Sequence, residues 1–201
     1  MMDDFNRNGH LSFKRIPGIF LFIGISIFFV GCSQSDTAEE DDIADKNKQA
    51  IQAVIETEFN GPDKKYVELW DTATETQTAE MNQEEYNAWL ETPEYKNYMN
   101  YMEEAYLPYF TENGYETFIN TSAFSYSFSD AEYKINTSDI EINQSDNEPT
   151  LYNFTFTVNY ENEDGDANDY NFEGNTLVPQ EGKIGKIHFG DKDGLIQTIR
   201  E

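Results

Sequence analysis

Cysteine is almost missing from this chain: its 201 residues hold one, Cys32. A single thiol excludes an internal disulfide framework and any site built from several cysteines. Histidine is nearly as scarce, with only His10 and His188 present. Basic residues are few, 13 Lys and Arg against 39 Asp and Glu, for a formal net charge of −26. Nucleic acids are held by cationic surface that displaces phosphate counterions, so this charge excludes them as partners. A long hydrophobic run is missing too. The most apolar stretch, "IPGIFLFIGISIFFV" from Ile16 to Val30, falls short of the roughly 20 residues that a spanning helix needs. Pro17 and Gly18 weaken it further as a membrane helix.

What the N-terminus does contain is ordered like a secretory signal. Arg7, Lys14 and Arg15 form a basic head, the apolar run follows, and small residues close it. The closing residues, "FVGC", resemble the lipobox of bacterial lipoproteins, usually Leu, a small or apolar residue, Gly or Ala, then Cys. Val30 and Gly31 match, and Phe29 stands where Leu is usual. The resemblance implies that residues 1–31 are a signal peptide cut just before Cys32, whose thiol carries diacylglycerol. Palmitate-type chains on Cys32 would then hold the protein on the outer face of the cell membrane. One acyl chain binds only marginally, whereas two, at about 0.8 kcal/mol per buried methylene, anchor stably. An ordinary secreted protein with one stray cysteine, or an uncleaved anchor, stays open beside this reading. Removing residues 1–31 takes away two acids (Asp3, Asp4) and three bases, leaving 37 acids, 10 bases and a net charge of −27. Anionic headgroups repel such a domain, which predicts that it stands off the membrane on its tether.

Residues 32–45, "CSQSDTAEEDDIAD", are acidic and almost free of large apolar side chains. They read as a solvated, flexible tether, because too little surface is available to offset ordering entropy. Residues 46–201 read as a single α+β domain. Ile51, Val54, Ile55 and Phe59 recur at helical spacing, and Gly61-Pro62 follows as a stop. Pro62 at a first helical position would restart the chain toward Tyr66, Leu69 and Trp70. Asn82 with Glu85 has the spacing of a capping box. Thr92-Pro93 and Thr111 open two further helices, the first with a stripe of Tyr95, Tyr98, Met99, Met102 and Tyr106. The period then changes to two. Tyr152, Phe154, Phe156, Val158 and Tyr160 alternate with polar residues, as on a half-buried strand. Asp164-Gly165 and Glu181-Gly182 mark turns, and "SAFSYSF" (122–128), "YKINTSDIEIN", "YNFEGNTLV" and "KIGKIHF" alternate as well.

Helices followed by an antiparallel sheet resemble the nuclear transport factor 2-like fold, shared with ketosteroid isomerase. There, N-terminal helices pack on a bent antiparallel sheet to form a cone. "NGPDKKYVELW", with its Gly-Pro break, is also similar to small extracellular lipoproteins of Gram-positive bacilli. A cystatin-like or other α+β arrangement remains an alternative.

Candidate sites are sparse. Placing Gly165 at position six of an EF-hand loop puts Tyr160 first and Asn171 last, where Asp and Glu are required. The second Asp-Gly turn, Asp191 and Asp193 before Gly194, fails likewise with Phe189 and Arg200 at its ends. Weak, non-specific cation binding by the acidic surface is the expectation, with no discrete metal site and no cofactor. His188 alternates with Ile187 and Phe189, so it faces solvent or a pocket wall. The tyrosine stripe lines either a groove or the core. No spacing picks out a catalytic set. The resulting expectation is a membrane-anchored lipoprotein with a non-catalytic domain for a small ligand or an envelope protein. The alternatives are an isomerase-like enzyme using the cone pocket and an envelope structural or assembly factor. An enzyme pocket should contain a buried carboxylate or histidine of shifted pKa.

Overall fold

The computed structural model describes residues 36–78, 80–128 and 132–200. Five helices come first: α1 (Asp36–Phe59), α2 (Lys64–Thr74), α3 (Gln83–Leu90), α4 (Pro93–Tyr106) and α5 (Glu112–Ile119). The strands β1 (Tyr133–Gln144), β2 (Leu151–Asn162), β3 (Ala167–Leu177) and β4 (Lys186–Asp191) follow, and α6 (Leu195–Arg200) closes the chain. The strands form an antiparallel meander in the order β1-β2-β3-β4. Helices over one face of an open antiparallel sheet make the α+β class that the change of period predicts.

Local chemistry explains most element starts. Asn82 and Glu85 form the reciprocal capping box of α3. The Thr92 hydroxyl caps α4 with Pro93 in its first turn, and the Thr111 hydroxyl caps α5. Asp63, not Pro62, opens α2: its carboxylate accepts the Tyr66 N–H at 2.8 Å, and Pro62 lies outside the helix. The stronger difference is in α1. It is already helical at Asp36, the first described residue, so the run expected to be a flexible tether is helical from there. Ala and Glu, frequent in this run, are good helix formers. Lys46 then pairs with Asp42 at 2.8 Å and with Glu181 at 2.5 Å, tying α1 to the turn before β4.

The core lies between α1 and the inner sheet face. Ile51, Val54, Ile55 and Phe59 are fully buried, as their spacing predicts. On β2, Tyr152, Phe154, Phe156 and Val158 are buried and Tyr160 partly so. The Phe59 ring sits 4.9 Å from Phe156, 4.8 Å from Phe172, 5.2 Å from Phe189 and 4.6 Å from Tyr126. That aromatic plug fills the space under the sheet. Gly174 on β3 makes room for it, since a Cβ there would collide with the Phe154 ring and the His188 carbonyl. Ser122–Phe128, whose alternation suggests a strand, instead forms consecutive turns, with Phe124 at a φ of 52°.

Candidate functional site

The one acidic side chain in the core among the described residues explains that departure. Glu58 lies four residues after Val54 and seven after Ile51, on the stripe of α1 that faces inward. It is 1% exposed. Four donors converge on its carboxylate: the Phe124 N–H at 2.7 Å, the Ser125 N–H at 2.6 Å, and the hydroxyls of Ser125 and Tyr106, each at 2.9 Å. An alternating strand cannot aim two successive amides at one carboxylate, so the chain turns here. Tyr66 stacks on Phe124 at 4.4 Å and Tyr106 meets it edge-on at 5.1 Å, closing the surroundings with rings. Burial pushes the Glu58 carboxyl up to about 7, against the opposing pull of the Ser125, Tyr106 and backbone hydrogen bonds. Burial also holds the Tyr106 hydroxyl above its ordinary range, and the nearby Glu58 charge adds to that.

A carboxyl titrating near neutrality has the proton affinity of a general base. Glu58 lacks the other requirement, access to a substrate. Its oxygens are taken by four donors, aromatic side chains close around it, and it lines neither the groove between α2, β1 and β2 nor the depression beside His188. Its arrangement clamps α1, α4 and the Ser122–Phe128 turn together. Sequence reading passes over Glu58 as one acid among many. A glutamate on an otherwise apolar helical stripe was the available signal.

One cleft, of about 780 Å³, is an open groove between the start of α2 and the ends of β1 and β2. Pro62, Val67, Phe128 and Ile135 supply apolar surface, while Lys64, Lys134, Glu68 and Glu161 bring charges of both signs. The β1 edge there is already partly paired: Ile135 exchanges both backbone hydrogen bonds with Gly61, and the Asn60 side chain accepts the Thr137 N–H at 2.8 Å.

His188 is exposed on the outer face of the sheet, while Ile187 and Phe189 pack against the core. It ends a cross-strand row, Asn143–Asn153–Asn175–His188, in a shallow depression of about 400 Å³. Of the two positions open to it, the structure shows an exposed one on the wall of that depression. The tyrosine stripe lies elsewhere, with Tyr98, Met102 and Tyr106 buried in the core and Tyr95 and Met99 packed against it. Histidine and tyrosines therefore do not meet.

The Asp-Gly turns have structural work. Asp191 accepts the N–H groups of Gly194 (2.8 Å), Leu195 and Ile196 (both 3.0 Å), capping α6. Asp193 accepts the backbone and side-chain N–H groups of Asn171, which hold its carboxyl below the ordinary value. Gly165 sits at a φ of 84° in a turn that the Asn162 side chain braces through the Asp166 N–H. Among the described residues no group of three or more His, Cys, Asp or Glu is placed to hold a metal ion. Cys32 lies outside the described residues. Among those described, no helix is long and apolar enough to cross a membrane. Comparisons with protein-family models, curated proteins and solved structures find no match.

Proposed function

We propose that this chain is a lipid-anchored recognition protein of the bacterial cell surface, tethered through Cys32, which binds a protein partner with its exterior and carries out no chemistry. The observation behind this reading is the filled interior. In an isomerase-like cone the concave side of the sheet holds the substrate. Here Phe59, Phe156, Phe172 and Phe189 fill the space between α1 and the sheet. Glu58, the one carboxyl raised well above its ordinary range among the described residues, is sealed behind four hydrogen bonds. Binding is thereby left to surfaces. A helix laid across a meander suits both the nuclear transport factor 2-like and the cystatin-like descriptions, and neither alters this conclusion. The anchor rests on "FVGC" after a basic head and an apolar run.

Cys32→Ser should release the protein into the medium or leave an unprocessed precursor. Mass spectrometry finding an unmodified Cys32 in the membrane fraction of wild-type cells would overturn the anchor. Crosslinking on intact cells, followed by purification of the anchored chain, should retrieve an envelope protein in stoichiometric amount. Retrieval of the bare chain alone counts against a partner.

A further inference from the structure

Two aromatic side chains among the described residues are exposed, Trp70 and Tyr86, each at 40%. Both lie on the helical layer formed by α2, α3 and α4. They are the two ends of one continuous line of rings. Trp70 meets Tyr98 at 5.2 Å, Tyr98 meets Tyr95 at 6.1 Å, Tyr95 meets Trp89 at 4.4 Å, and Trp89 meets Tyr86 at 5.5 Å. The line is held rigidly. The Trp89 indole N–H donates to the Ala73 carbonyl at 2.7 Å, locking α3 onto α2, and Tyr98 is buried beneath Trp70. Water thus reaches the rings of two fixed aromatics.

The same layer is acidic. From Lys64 to Tyr106 it holds ten acids and three lysines. Two of those lysines are already paired, Lys65 with Glu68 and Lys96 with Glu91. Aromatic faces carry negative quadrupole potential, and the segment that bears these rings has a formal net charge of −7, ten acids against three lysines. Both features attract the same kind of group. A guanidinium stacks flat on indole and phenol rings while its forked N–H groups reach carboxylates, and it sheds water more easily than an ammonium. Nucleic acids and anionic lipid share the sign of this surface and are repelled. A second copy of this chain brings the same charge, so self-association through this face is opposed.

We infer that the Trp70–Tyr86 face of the α2–α3–α4 layer docks an arginine-bearing segment of a partner protein. This rests on the reading of the chain as a surface recognition protein and names the partner's chemistry.

The full chain in non-ionic detergent is titrated with hexa-arginine and, separately, with hexa-lysine. Its tryptophans are Trp70 and Trp89, and Trp89 is 6% exposed, so a change in emission reports chiefly on Trp70. Hexa-arginine should bind saturably, shift the emission, and bind several-fold more tightly than hexa-lysine. Trp70→Ala with Tyr86→Ala removes the two exposed aromatic rings of this layer. Unchanged far-ultraviolet dichroism and a urea midpoint close to that of wild type should show an intact fold. By titration calorimetry, which does not depend on Trp70, that double variant should bind hexa-arginine about tenfold more weakly than wild type and lose the preference over hexa-lysine. Equal binding of both peptides by wild type, untouched by the double variant, would show only the attraction of an acidic surface and overturn the proposal. So would an absence of saturation, or an emission shift that grows with protein concentration without peptide. An arginine preference in a chain whose Cys32 proves unmodified leaves the docking face standing while the anchor falls. A lipidated chain indifferent to arginine does the reverse.

Discussion

Glu58 is a carboxylate enclosed by aromatic rings, and its proton is therefore linked to the stability of the fold. Its carboxyl is raised from an ordinary 4.5 to about 7 by burial. A raised carboxyl means that the native state binds the proton more readily than the unfolded chain. Its contribution is fully present below about pH 4.5 and is lost as pH rises through about 7. The size is on the order of 3 kcal/mol, from about 1.4 kcal/mol per pH unit. Glu58→Gln should remove that dependence. It carries its own cost: whichever oxygen the amide nitrogen replaces, the N–H of Phe124 or Ser125 faces another donor. Leaving one such group unpaired costs about 1–3 kcal/mol. The variant should therefore be less stable than wild type at pH 5 and nearly equal to it at pH 8. Urea midpoints measured at both values check this. A constant gap across the range would show that Glu58 stays in one protonation state.

At the scale of an element, α6 depends on a single side chain. Asp191 accepts its first two N–H groups and that of Gly194 just before it, and the helix spans only Leu195–Arg200. So short a helix does not hold itself against nucleation cost. Its remaining support is tertiary: buried Leu195 and Ile199, and Arg200 placed 5.2 Å over the Phe128 ring. Asp191→Ala should cost about 0.5–2 kcal/mol, the range for a lost helix cap. Amide exchange should accelerate at Leu195, Ile196 and Gln197 ahead of the sheet. If exchange rises equally in β2, the cap supports the whole fold rather than α6. The Asp-Gly turn at 191–194 is thus a helix start, as its oxygens' occupants show.

For the whole molecule, charge is the dominant fact. In residues 32–201, 37 acids face 10 bases. Five lysines among the described residues make ion pairs with acids, all of them well exposed. Exposed pairs contribute about 0–1 kcal/mol each, so they do not offset the repulsion of the remaining carboxylates. The melting temperature should rise from low to moderate salt, as the screening length shrinks to about 10 Å at 0.1 M. Divalent cations should act more strongly per mole than sodium, without a stoichiometric endpoint. A melting temperature that falls with salt would mean that the ion pairs outweigh the repulsion. A sharp one-to-one endpoint with Ca²⁺ would mean that the Asp-Gly turns bind it after all.

The sequence by itself determined what depends on neighbours along the chain. Asn82 with Glu85, Thr92 with Pro93, and Thr111 announce helix starts because a cap bonds to amides two or three residues away. The alternation from Tyr152 to Val158 announces a strand with one buried face, since side chains alternate whatever the partner strand. The tertiary structure alone decided the rest. His188 could have faced a pocket or solvent until the helices took the opposite face of the sheet. The period-two run at Ser122–Phe128 could have paired as a strand. Instead, its amides met Glu58, 66 and 67 positions earlier in the chain. A carboxylate buried without donors costs more than a strand's worth of pairing, so that long-range contact overrode the local pattern.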